Sequence, residues 1–352
     1  MNTNTNTNTN TNTNTTTECA ELNAPLNLQR KAAITGGGAF DHAGRVQVNR
    51  MAEFDMGRTI FGGLEGIARK IMDEKLAKES VWDRAAAADI EAAYAEADLA
   101  QPAPTIDQRL IDFMLNECDF SMEHADGTFL EHLVFCHHYA ARHYPEHSPN
   151  VALLHSILGT ATNTFAMEAS KLPKLKALLT DFEAIQVETF PSILRLLYND
   201  GLLNELEQNL HRLGELKALR LHRVIDNEAL TIDAGNLWIN LNYHLMHFVD
   251  FMPAANWSTH RADPLLQMFE RLSGLLDRAG QRQAHVEIVF PETKTAPVGE
   301  NRSLFGRISD GIPPAVKLTL ARKAIRKYAG LAGHDLSYQL EWMGRAALPP
   351  AG

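Results

Sequence analysis

From Thr105 to about Leu276 the chain repeats one pattern, apolar residues at intervals of three and four punctuated by proline, glycine and capping residues. Residues so spaced share one face of a helix, and such faces are stable only when buried against one another. The pattern restricts this stretch to packed helices, so the expected fold is mainly α. In IDQRLIDFMLNECDF the stripe is Leu110, Phe113, Met114 and Phe120. Thr128, after the turn Asp126-Gly127 and with Glu131 three residues on, forms a capping-box pattern that opens the next helix. Pro145 and Pro149 close that helix, Asn150 begins VALLHSILGTATNTF, and Gly159 stops it. Helices then continue through LPKLKALLTDFEAIQVETFPSILRLLYNDGL, interrupted near Pro191. In LWINLNYHLMHFVDFM, Asn240, His244 and His247 fall on one helical face.

The flanks differ in kind. Residues 2–17 are an Asn-Thr repeat with nothing apolar to bury, so residues 1–25 are expected to form a disordered tail. Residues 26–104 read as a helical extension, carried by IFGGLEGIARKIMDEKLA and VWDRAAAADIEAAYAEADLA. The glycines at 36–38 and at 62, 63 and 66 match neither GxGxxG nor a P-loop, and they read as turn or helix-start residues. The proline-punctuated QPAPT at 101–105 separates this extension from a helical domain over 105–275. Residues 276–352 read as a small mixed C-terminal appendage. There HVEIVF alternates as a strand, and IPPAVKLTLARKAIRKYAGL reads as a basic helix opened by prolines. Its Lys317, Arg322, Lys323, Arg326 and Lys327 suit a solvated face better than an acidic partner.

A net charge of −10 argues against a nucleic-acid partner. The absence of a sustained apolar run of spanning length argues against a membrane one. The N-terminus lacks the basic residues and apolar core of a signal peptide, and the three cysteines form no CxxC. Together these predict a cytoplasmic protein in a reducing compartment. Cys136 lies four residues after His132 on the same helical face, as either an inert buried thiol or a soft ligand.

The strongest pointer to chemistry is histidine density. His124, His132, His137, His138, His143, His147 and His155 make up seven of the fifteen histidines. Neutral imidazole is the commonest protein ligand for transition metals and the usual acid/base near neutral pH. His132 and His155 sit inside apolar runs, FLEHLVF and VALLHSIL, and so project inward, where an imidazole needs a partner. His137, His138, His143 and His147 lie in a more polar stretch and read as solvated. His244 and His247, one turn apart, have the separation to meet one ion, and Glu183 and Glu188 could add carboxylates from a middle helix. Such a set suits iron, manganese or zinc. The alternative is a metal-free polar core in which His132 and His155 bond each other, Ser156 and Thr160.

The motifs FLEHL (129–133) and HSILGT (155–160) resemble a divergent branch of the HD-domain superfamily, whose members carry FLDHL and a helix ending in His-Ser-Ile-Tyr-Gly-Thr. The similarity extends through HRVIDNEALTIDAGNLWINLNYHLMHF, where that branch has an Arg-containing hairpin and a final helix, and covers about residues 105 to 255. The resemblance implies an HD-like helical bundle with ligands from separate helices: a first His, an adjacent His-Asp pair and a late Asp. Mapped onto this chain, the first His is His132 and the paired His is His155. Ser156 stands where the paired Asp would be, and Asn242 or Asp250 is nearest the late one. Some members hydrolyse phosphate esters with one metal, and others use two irons and dioxygen on small organic molecules. The expectation for this chain is a metal-dependent enzyme, first an iron oxygenase acting on a small polar molecule. A phosphohydrolase, or a non-catalytic module binding a ligand or partner, are the alternatives. The expected metal ligands are His132, His155, His244, His247 and Asp250, with Ser156, Glu183 and Glu188 as catalytic groups.

Overall fold

The computed structural model describes residues 38–40, 45–48, 104–119, 123–124, 127–161, 165–251, 264–289 and 313–343. These residues are mainly helical, as the apolar spacing requires. Helix α1 spans Gln108–Glu117, and the Asp107 side chain caps it by accepting from the Arg109 N–H. It buries Leu110, Phe113 and Met114 as expected, while Phe120 lies outside the described residues. After the two-residue strands β3 (Glu123–His124) and β4 (Gly127–Thr128), α2 runs over Phe129–His143. It begins where the sequence places it, though the Thr128 and Glu131 side chains lie outside the described residues. The short helix α3 (Pro149–Leu154) starts with Ser148 as N-cap and Pro149 at its first position, where a missing N–H costs nothing. It ends at His155, earlier than VALLHSILGTATNTF suggests, and a turn follows in which the Gly159 N–H bonds the Ser156 carbonyl at 3.1 Å.

The short helix α4 (Leu172–Lys176) and the longer α5 (Asp181–Tyr198) come next. Thr180 and Glu183 form a reciprocal capping box at the start of α5. The helix runs unbroken through Pro191, against the expected interruption. A mid-helix proline forfeits a backbone bond and costs about 3 kcal/mol. Here every residue from Gln186 to Tyr198 is buried, and packing on all sides outweighs that loss. Helix α6 (Gly201–Gln208) leads to a hairpin, β5 (Leu216–His222) and β6 (Ala229–Asp233), and then to α7 (Ala234–Phe251) and α8 (Pro264–Arg278).

The expected strand near HVEIVF is β7 (Glu287–Val289), parallel to β2 (Arg45–Val48), which pairs antiparallel with β1 (Gly38–Phe40). Both β1 and β2 fall in the stretch read as a helical extension, whose remaining residues up to Ala103 lie outside the described residues. The expected basic helix is α9 (Pro314–Ala332), and β8 (Gln339–Trp342), not read from the sequence, adds to β5 in a sheet ordered β6-β5-β8. On α9, Arg322 meets the Asp200 carboxylate and Arg326 donates to Asn199 at 2.9 Å. The side expected to be solvated therefore docks in part on the α5–α6 turn. Asp200 also accepts from Arg271 of α8, so one carboxylate gathers three elements. Arg195, fully buried in α5, donates twice to the Thr160 carbonyl and once to His334 Nδ1, and His334 Nε2–H donates to the His222 carbonyl. No helix among the described residues is long and apolar enough to cross a membrane.

Gly159 has φ of +131°, and a Cβ there would stand 2.7 Å from Cγ1 of Val224. Gly159→Ala therefore combines backbone strain with overpacking against a stiff side chain. It should cost about 2–4 kcal/mol in a denaturant titration, and a loss below about 0.5 kcal/mol would contradict this turn geometry.

Candidate metal centre

Helices α2 and α3 form a hairpin closed by residues 144–148, and the start of α2 meets the end of α3. That brings His132 and His155 together. Their Nε2 atoms are 3.0 Å apart, with ring centroids 4.9 Å apart. His155 Nδ1 lies 2.5 Å from the Ala152 carbonyl. A carbonyl only accepts, so Nδ1 carries the proton and Nε2 of the neutral ring carries a lone pair. His132 Nε2 then donates to that lone pair. His132 Nδ1 in turn faces the Cys136 thiol, one turn along α2, at 3.8 Å. The chain of groups from Cys136 through His132 and His155 to Ala152 is buried throughout.

A third imidazole arrives from α7. The His247 ring centroid is 4.7 Å from that of His155 and 5.2 Å from that of His132. His132, Cys136 and His155 each offer a donor atom, all within 4.8 Å of one another, so the cluster could hold a metal ion. A tetrahedral ion with bonds near 2.1 Å sets its nitrogens about 3.4 Å apart. The 3.0 Å separation of the two Nε2 atoms suits that spacing. Burial pulls the His132 pKa down to about 3, so the ring is neutral at pH 7 and its lone pair is available.

The other expected site residues lie elsewhere. His244 is fully buried on α7, its ring 3.9 Å from that of Phe190 and 6.5 Å from that of His247. Neither of its nitrogens has a hydrogen-bond partner. Burial, and then the neighbouring His155, hold its pKa well below the usual range. Phe190 also touches the rings of His155 and His247, so it stands beside all three histidines. Asp250 lies on the last turn of α7, and its side chain is outside the described residues. Ser156 is buried in the turn after α3, directly after His155.

Both expected carboxylates are engaged in structural bonds. Glu183 accepts from Ser148 Oγ at 2.6 Å, Asn150 Nδ2 at 3.0 Å and the Thr180 N–H at 2.9 Å. Burial works against its ionisation, but those hydrogen bonds outweigh it and keep the carboxyl below its ordinary pKa. It sits two helical turns, about 10 Å, before Phe190, at the Ser148 end of the α2–α3 hairpin. Glu188 is bonded to Arg223, whose guanidinium also reaches Asp226 and Glu228, and to Lys176 at 2.7 Å. Two residues before Phe190, it points roughly to the opposite side of α5.

His137, His138 and His143 are buried rather than solvated, at 1%, 4% and 4% exposure. Helix α2 is covered by α3 and α7, and the His285 N–H bonds the His143 carbonyl at 2.8 Å. His147 is part-exposed and bonds Gln283 at 3.1 Å in an open cleft of about 720 Å³, also lined by Glu146, Arg282, His285 and Glu287. This cleft lies at the end of the hairpin away from His155. Cys136 is the site residue that sequence reasoning underweighted, and its signal was the four-residue spacing from His132.

The clamp that aims α7 is polar. Gln186 on α5 accepts from Asn240 Nδ2 at 2.8 Å and donates to the Asn236 carbonyl at 3.0 Å. All three sit on the approach to His244 and His247. No family model, curated protein or solved structure matches the chain.

Burial lowers the pKa of His132 and His137 to about 3, and of His138 and His334 to about 4. An unfolded histidine titrates near 6.5, so below that pH the unfolded chain binds more protons. Stability should be full above pH 6.5 and be lost as pH falls toward 4, by up to about 1.4 kcal/mol per histidine per pH unit. Urea midpoints measured from pH 8 to pH 4.5 should be flat and then fall steeply. A midpoint unchanged between pH 7 and pH 5 would contradict the buried neutral rings.

Proposed function

We propose that this chain is a metal-dependent enzyme of HD-like fold, with one transition-metal ion held among His132, His155 and His247. The observation that carries the reading is the convergence of three buried imidazoles from α2, from the end of α3 and from α7. It matches the HD-like expectation that ligands come from separate helices, with His132 as the first and His155 as the paired histidine. The β5–β6 hairpin leading into α7 stands where the resembling branch has its own hairpin and last helix. Ser156 supports a single ion, because a neutral hydroxyl is a poor bridge between two metals. That loss also disfavours phosphoester hydrolysis, which leans on the missing carboxylate, and the net charge of −10 disfavours a polyanionic substrate.

Iron is the ion we assign first, and a small polar metabolite is the substrate. Imidazole nitrogen suits iron well, and when bound the metal would supply redox chemistry toward dioxygen. The chain's own residues do the holding. Ala152 fixes the His155 tautomer, the Gln186–Asn240 clamp sets the rotation of α7, and burial keeps His132 unprotonated.

A second reading has its own observation. The hydrogen bonds from Cys136 through His132 and His155 to Ala152 engage these groups without any ion. On that reading the chain is a non-catalytic helical module with a polar core. Metal analysis of the full-length protein, purified without chelator or metal resin, separates the two. We expect close to one ion per chain, mostly iron, abolished in His155→Ala with the far-ultraviolet dichroism unchanged. Ser156→Asp should be tolerated beside a cation, whereas in a metal-free core an unpaired buried carboxylate costs several kcal/mol. Metal-free wild type together with an unfolded Ser156→Asp would sink the enzyme reading.

A further inference from the structure

We infer that Cys136 binds the ion as a thiolate, making this a nitrogen–sulfur centre for a borderline-soft cation such as Fe²⁺, Zn²⁺ or Co²⁺ and closing it to Mg²⁺ and Ca²⁺. The inference rests on the metal reading above and adds a fourth donor to it. Cys136 is one helical turn after His132, the spacing at which two side chains on one helix face can chelate a single ion. Its Sγ packs against the His132 ring, 3.8 Å from Nδ1, and with one donor atom taken from each residue the thiol stays within reach of an ion shared with both histidines. The donors of Cys136, His132 and His155 all fall within 4.8 Å, so closing onto an ion asks for shifts of about 1 Å.

The chemistry of the surroundings agrees. Cys136 is 1% exposed and faces imidazoles, and no carboxylate joins the cluster among the described residues. A hard, strongly hydrated cation such as Mg²⁺ needs oxygen ligands and retained waters, and a dry nitrogen–sulfur pocket gives it neither. A borderline-soft divalent ion gains from both donor types. Binding would release the thiol proton to solvent, while the His132 proton between the two rings would move to the other His132 nitrogen and leave that ring neutral. A single thiolate also offsets half the charge of a divalent ion, which three neutral imidazoles leave whole.

The other thiols do not compete on this ground. Cys118 lies just past the end of α1, and burial pushes its pKa up to about 12, so it stays a thiol. Cys19 lies outside the described residues.

Cobalt reconstitution tests the assignment. The full-length protein is stripped with chelator and titrated with Co²⁺, and its near-ultraviolet and visible spectra are recorded. The expected result is one Co²⁺ per chain with an intense sulfur-to-cobalt charge-transfer band and the strong visible bands of a four-coordinate ion. The band should be lost in Cys136→Ser and kept in a Cys19→Ser/Cys118→Ser variant. Zn²⁺ affinity should fall by roughly a hundredfold in Cys136→Ser, and excess Mg²⁺ should not displace Co²⁺. Stoichiometric Co²⁺ with no sulfur band in the wild type would overturn the thiolate ligand and leave the histidine centre standing. So would a band that survives Cys136→Ser. Failure to bind Co²⁺ or Zn²⁺ at all would overturn both.

Discussion

Burying an imidazole in an apolar core costs free energy for every nitrogen left without a partner, and the pairing of His132 with His155 is how the middle of this protein lowers that cost. His132 and His155 lie at opposite ends of the α2–α3 sequence but at the same end of the hairpin, with their Nε2 atoms 3.0 Å apart. One proton between two lone pairs serves both rings, and the Ala152 carbonyl takes the other His155 N–H. Burial keeps the His132 ring neutral at pH 7, so it brings no charge into the apolar core around it. Leu133, Val134, Phe135 and Leu154, beside the two histidines in the chain, have almost no exposure.

The remaining elements follow from closing that core. Helix α7 must lie against α2 to cover it, and Gln186 and Asn240 fix where along α5 it lies. The same helix then delivers His247 to the cluster. It also carries His244 into a place against Phe190 where neither nitrogen finds a bond. Leaving such a group unpaired costs about 1–3 kcal/mol, so the sheet and the outer helices must supply stability elsewhere. They do so through strong local contacts. Arg195 and His334 tie the C-terminal segment to α5, and Asp200 gathers α8 and α9.

What could be read in advance was what depends on local pattern. The stripe of α1, the start of α2, the basic helix α9 and the meeting of His132 with His155 all follow from residue spacing and from prolines that bound a short turn. The misreadings share one cause, which is covering by distant segments. Nothing in HLVFCHHYAARH says that His137, His138 and His143 are buried, because α3, α7 and the 285 region provide the lid. Pro191 breaks an isolated helix but not one enclosed on every side. In sequence Glu183 and Glu188 read as carboxylates that could join the site from a middle helix. Their partners, Ser148 and Arg223, lie 35 positions away in each case. The strand β8 is defined only by pairing with β5 across more than a hundred residues.

The proposed centre holds one ion among α2, α3 and α7. X-ray absorption at the edge of the metal retained by the full-length protein reads its neighbours directly. The expected shell is imidazole nitrogen at about 2.0–2.1 Å with one sulfur near 2.3 Å. A protein with no retained metal, or an ion surrounded by oxygen alone, would contradict it.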